Sequence, residues 1–234
     1  MLMLANKVNI SNLGAELLDL DIQNSILDTE KDWIKKSYSP IILDQQFNYK
    51  KITTKIYIKG TSREDVLNKA SNLKKLLKKA TLEFDDMAFL YDSTLDNDSI
   101  ERFGTKNKLT MICIFSAGYA YKSEVTETLN HVSSKTINVS GNLPTPAVIT
   151  VTVPIDTISI TLTGLGEDTI TIKNLKANVP VIINGEDNTV FQSGANKFGD
   201  TDMWEFPSLK TGSNSIGLST ANCVVEIKYK PRWI

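Results

Sequence analysis

One histidine and two cysteines are all that the 234 residues offer to the commonest catalytic and metal-binding chemistry. His131 has no cysteine or second histidine near it in sequence, so hydrolysis lacks its usual general base. Cys113 and Cys223 stand far apart in apolar, strand-like runs, a setting for buried thiols rather than for a disulfide or a metal site. No run approaches the roughly eighteen apolar residues that cross a membrane as a helix. Neither sign of charge dominates: 26 basic against 27 acidic side chains leave −1, no surplus for gripping nucleic-acid phosphates. Met1 to Ile10 lacks the basic-then-apolar layout of a secretory leader, so no signal peptide is expected. G-x-S-x-G elbows and glycine-rich loops leading into a helix are missing as well.

What remains is an ordinary globular composition, 41% hydrophobic and 23% charged, long enough for one large or two modest domains. The texture changes near residue 130. Before it charges are dense and lysine clusters; after it the chain is rich in Thr, Val and Ile, with most of its glycines at turn-like positions. This predicts two domains, 1–132 and 133–234, with Lys122 to Lys135 as the connection.

In the first part, Ile52, Thr54, Ile56 and Ile58 alternate with Thr53, Lys55, Tyr57 and Lys59, which predicts a strand ended by Gly60. Thr61 and Glu64 have capping-box spacing at the start of a helix over about Ser62–Lys79. Val66, Leu67, Ala70, Leu73, Leu77 and Ala80 form its apolar stripe. Lys74, Lys75, Lys78 and Lys79 crowd its end, where the helix dipole favours positive charge; a solvated end explains them without a nucleic-acid patch. A hairpin is expected from Thr81–Phe84 and Ala88–Tyr91, turned at Asp85–Asp86. Leu109–Phe115 has two apolar faces, which predicts a central position between layers. Asp92–Thr105, with Asp96, Asn97 and Asp98 but neither the glycine nor the terminal glutamate of a calcium loop, reads as a polar turn.

The second part reads as β throughout. Strands are expected at Thr136–Val139, Ala147–Val153, Ile158–Thr163, Thr169–Lys173, Val179–Ile183, Trp204–Phe206, Ser215–Leu218 and Cys223–Lys230. Glycine- and asparagine-bearing turns separate them, as in two packed antiparallel sheets. The acidic pairs Asp85–Asp86, Glu167–Asp168 and Glu186–Asp187 all fall at turns, where carboxylates serve the local backbone, and form no catalytic pair. Trp204 and Glu205 have the chemistry of a sugar-stacking face, but alternation instead puts Trp204 and Phe206 in the core with Glu205 in water. No catalytic, cofactor-binding or metal-ligating residue is assigned, and no cofactor is expected.

Several segments in order resemble one family. Ile52–Lys59 followed by Gly60-Thr61-Ser62-Arg63-Glu64 and the helix is similar to the N-terminal domain of siphophage distal tail proteins. Phe115-Ser116-Ala117-Gly118-Tyr119-Ala120-Tyr121 resembles their strand closing in a tyrosine-bearing loop, with Gly118 where many relatives carry proline. Ile170–Leu175, Ile183–Asp187, Trp204–Leu209, Gly212–Ile216 and Val225–Trp233 resemble their C-terminal domain. The resemblance implies a mainly β protein with one helix: an N-terminal ring-forming, β-sandwich-like domain and a C-terminal galectin-like sandwich, or jelly roll. It further implies a non-enzymatic virion structural protein at the tail tip or baseplate of a phage or prophage, made in the host cytoplasm. Six copies would form a hub joining the tail tube to the tail-associated protein and carrying receptor-binding proteins. DNA would pass through that ring without a specific site, and no part would insert in a membrane. Ile52–Lys59 and Leu109–Phe115 are the expected shapers of the ring wall. The sugar-binding motif of true galectins is absent, yet a carbohydrate-binding module recognising host surface glycans stands as the alternative.

Overall fold

A computed structural model describes residues 1–101 and 106–234. The chain divides into two units, Met1–Tyr121 with Ile234, and Lys122–Trp233. Among the described residues there is one α-helix, and nearly everything else regular is antiparallel strand.

The first unit contains β1 (Met3–Ala5), β2 (Val8–Asn9), β3 (Ala15–Gln23), β4 (Leu27–Asp32), β5 (Ile41–Phe47), β6 (Lys50–Lys59), α1 (Arg63–Leu77), β7 (Lys79–Phe84), β8 (Leu90–Glu101), β9 (Lys108–Ala117) and β10 (Ala120–Tyr121). Its main sheet runs β2-β1-β7-β8-β9-β6-β3, and β10 pairs with β8. The predicted alternation decides the inner face: Ile52, Thr54, Ile56 and Ile58 of β6 are buried, as are Leu109, Met111, Cys113 and Phe115 of β9. These two strands pair along their whole length, from Lys50 opposite Ala117 to Lys59 opposite Lys108.

Helix α1 covers that face through Val66, Ala70, Leu73 and Leu77. It starts one residue later than the Thr61–Glu64 spacing predicts. Ser62, extended at φ −142°, is the cap and its Oγ accepts from the Asp65 N–H at 3.1 Å. Asp65 in turn accepts from the Thr61 N–H at 2.8 Å. Asp65 replaces Glu64 because its shorter carboxylate, also paired with Lys69 at 3.0 Å, reaches the entering chain. That Thr61 N–H, then Lys69, holds the Asp65 carboxyl below its usual range. Gly60 is needed here, since a Cβ would lie 2.6 Å from the Val66 side chain.

Two members of the predicted stripe go elsewhere. Ala80 belongs to β7, and Leu67 is 41% exposed. We therefore expect Leu73→Ala to cost about 2–5 kcal/mol in urea denaturation and Leu67→Ala under about 1 kcal/mol. Equal losses would mean that both side chains are packed.

Polar composition misleads twice more. Asp92–Glu101 is no turn: it is the greater part of β8, paired with β7 and then β9, with a bulge at Asp96. Its charged side chains face outward while its backbone completes the ladder, and the rest of the predicted turn, 102–105, lies outside the described residues. The hairpin β4–β5 was not anticipated at all. It forms a separate two-stranded sheet.

The second unit holds β11 (Val125–Asn130), β12 (Ser134–Val139), β13 (Thr145–Thr152), β14 (Thr157–Thr163), β15 (Ile170–Leu175), β16 (Val181–Asn184), β17 (Thr189–Gln192), β18 (Ala195–Asn196), β19 (Thr201–Asp202), β20 (Ser208–Leu209), β21 (Gly212–Leu218) and β22 (Val224–Tyr229). Sheet β11-β22-β13-β16-β17-β18 faces sheet β12-β21-β14-β15-β19 across one core. Ile149 and Ile227, opposite one another in register, represent the first sheet; Ile160 and Ile172 represent the second. The segment expected as a connection, Lys122 to Lys135, contains β11, whose six residues all pair with β22. Its polar side chains alternate with Leu129, which is fully buried. Leu129, with partly buried Val125 against the same core, and the β22 ladder suffice to make it a strand.

Candidate interaction surfaces

The acidic pairs do not converge. Glu186 accepts both its bonds from the Arg232 guanidinium, at 2.6 and 2.7 Å, while Asp187 accepts from the Asn184 amide. Glu167 pairs with Lys210 at 2.7 Å, and that hydrogen bond holds its carboxyl below the ordinary range. Asp85 and Asp86 sit exposed in the β7–β8 turn. His131 occupies a left-handed turn position, φ 53°, its N–H donating to the Cys223 carbonyl.

The thiols are equally withdrawn. Burial, reinforced by the charge of Asp98, pushes Cys113 up to about 12. Burial also raises Cys223. Both should stay protonated and inert to a thiol-specific chromogenic reagent at pH 8 until denaturant is added, when two thiols per chain react. Reaction of either in the native protein would contradict the packing.

Tyr121, in the aromatic loop after β9, donates to Asp92 at 2.8 Å. Burial first, then the Asp92 contact, pushes its hydroxyl up to about 12. It is a packed edge of the first unit, with Tyr119 tilted against it at 6.2 Å.

Trp204 reverses its expectation. Trp204 and Glu205 form a bend after β19, and Trp204 is 89% exposed. Partly buried Met203 and Phe206, three residues apart, pack against the core instead, because the chain leaves the ladder at Asp202. Phe206 stacks on Phe198 with centroids 6.0 Å apart.

The candidates for the ring wall, β6 and β9, are both interior to their sheet: β6 lies between β3 and β9, and β9 between β6 and β8. Neither has an edge to extend, so what they present is a half-exposed outer face that includes Lys55, Tyr57, Ile112 and Ile114. Open edges belong instead to β2 and β3. Near them a cleft of about 420 Å³ is lined by Met1, Leu2, Ile10, Leu17 and Tyr57, among others.

One surface without a sequence expectation is the β4–β5 hairpin. Every residue of β5 is exposed, as are Ile26, Leu27, Trp33, Ile34 and Tyr38. The available signal was the pair of short runs Leu27–Asp32 and Ile41–Phe47 flanking Ser37, Ser39 and Pro40. It is faint because no face of either strand is buried.

The first unit is thus a sheet carrying one helix, the second an antiparallel sandwich, and exposed apolar side chains gather on the β4–β5 hairpin. Residues 140–233 match the family model for the siphovirus-type tail component, C-terminal domain. The crystal structure of phage SPP1 Dit, described as a paradigm of the hub adsorption apparatus of phages infecting Gram-positive hosts, has the same fold. Its TM-score is 0.82 at 10% identity, covering 100% of this chain and 99% of that one. The phage P2 baseplate in its activated, calcium-bound conformation contains a chain with TM-score 0.56 at 12% identity, covering 95% and 92%. The strontium form of that baseplate gives 0.55 at 12% identity and the same coverage. No curated protein is significantly similar in sequence. Residues 140–233 thus carry a siphovirus-type tail component domain. Over its whole length the chain shares the fold of the SPP1 Dit chain.

Proposed function

We propose that this protein is the building block of a hexameric hub at the tail tip, joining the tail tube to the tail-associated protein and giving receptor-binding proteins their anchorage. The first unit closes the ring and the second carries outward attachments; DNA passes through the opening, and the protein catalyses no reaction. The observation that carries this reading is the likeness of both units, in the same order and over the whole chain, to a protein described as a hub. Heterologous contacts whose rotation closes make such a ring. Light scattering and negative-stain images should show a ring of six 26.0 kDa chains, alone or with the tail tube protein. A persistent monomer in both conditions overturns the reading.

Exposed Trp204 is the one feature favouring a glycan-binding role. Trp204→Ala should shift unfolding by no more than about 0.5 kcal/mol. Titration with host wall polysaccharide should give no binding for the parent chain. Binding by the parent that Trp204→Ala abolishes would establish the carbohydrate reading.

A further inference from the structure

An isolated two-stranded hairpin is at best marginally stable in water. The β4–β5 hairpin keeps one nevertheless, with no third strand among the described residues and exposed side chains along β5. Its faces differ. Asp28, Glu30 and Asp32 alternate along β4 and so share one face. Asp44 of β5 lies directly opposite Glu30, and like charges so placed repel. On the two strands four acidic residues meet a single lysine, Lys31. None of these carboxylates has an ion-pair partner among the described residues. The arrangement calls for a cationic surface.

The same chain carries one. Lys75, Lys78 and Lys79, at the end of α1 and the start of β7, are exposed and have no acidic partner among the described residues. Neighbouring Lys74 is already occupied by Asp98. Leu67, Ser71, Lys75 and Lys78 recur at steps of four, four and three, forming one exposed stripe of the helix. Leu67, unexpectedly exposed, gives the stripe an apolar end. Ile41, opposite Asp32, gives the acidic face of the hairpin one too. From Asp28 to Asp32 the strand spans about 13 Å, and from Leu67 to Lys78 the helix spans about 16 Å. The two strips match in sign, in apolar end and in length.

We infer that the acidic face of the β4–β5 hairpin of one subunit docks on the lysine-bearing face of α1 of a second copy of this chain. The contact rests on the ring reading and deepens it, because each chain offers both halves and the contact is heterologous. It neutralises the Glu30–Asp44 repulsion and gives the hairpin the support that it lacks within its own chain.

Sedimentation and light scattering of the full chain test the contact. The parent should assemble, and about 1 M salt should weaken assembly by screening. K75E/K78E/K79E should raise the concentration for half-assembly at least tenfold, with an unchanged circular dichroism melt showing that it folds. Adding D28K/E30K/D44K to that variant should restore assembly. If K75E/K78E/K79E assembles as the parent does, or if the charge swap restores nothing, the contact is wrong while the ring stands. A ring that forms unchanged in the lysine variant but no longer binds a tail protein would assign the patch to that other partner and overturn the contact. A parent that never assembles overturns the ring reading and this contact together.

Discussion

Phe115→Ala should remove about 3–5 kcal/mol from the stability of the first unit. Phe115 is fully buried on β9, with Ile52 of β6 on one side and Leu95 of β8 on the other. The strand is interior to its sheet, so the cavity left by the ring cannot be filled by an edge moving inward. Urea titration followed by circular dichroism should show the N-terminal transition displaced and the C-terminal one in place. Phe47→Ala, on the exposed hairpin, serves as the control and should change stability by under about 0.5 kcal/mol. A loss below about 1 kcal/mol for Phe115→Ala would place that side chain outside the core.

The second large effect concerns a backbone position. Gly164 follows β14 with φ +81°, and a Cβ there would lie 2.1 Å from the Ser215 carbonyl oxygen. The obstacle is the backbone of β21, held by its pairing with β14 at Leu162–Leu218 and Thr163–Gly217. Strain of about 1–3 kcal/mol for the left-handed conformation adds to about 1–3 kcal/mol of overpacking. Gly164→Ala should therefore lower the C-terminal melting temperature by about 10 °C or more. Gly194→Ala, also at positive φ but with open space around it, should lose only the strain contribution. Equal losses at the two positions would show that the close approach to Ser215 is absent.

Neither effect involves a reactive group, in keeping with an assembly part. The side chains that carry ordinary enzyme chemistry are here tied to local structure: Glu186 to Arg232, Glu167 to Lys210, Asp65 to the helix entrance. Surfaces are where individual residues carry the weakest sequence signal. The hairpin escaped because its strands bury nothing, so no periodic apolar signal marks them. Trp204 was assigned to the core on alternation that holds only while a strand continues. The chain bends instead after Asp202.

The local code was sufficient wherever one face of an element met a core. Alternation in Ile52–Lys59 and Leu109–Phe115 named the buried side chains because a pleated strand exposes successive residues to opposite sides. The helical stripe Val66, Ala70, Leu73 and Leu77 was legible for the same reason at a period of about 3.6. Non-local pairing settled the remainder. Asp92–Glu101 became a strand because β7 and β9 supply backbone partners to side chains that would otherwise favour a turn. Leu67 stayed outside because it lies about 100° around the helix from Val66, off the arc that Val66, Ala70, Leu73 and Leu77 turn to the sheet. Hydrogen-bond partners far away in sequence, and the limited area of a packed face, are quantities that no short window of residues contains.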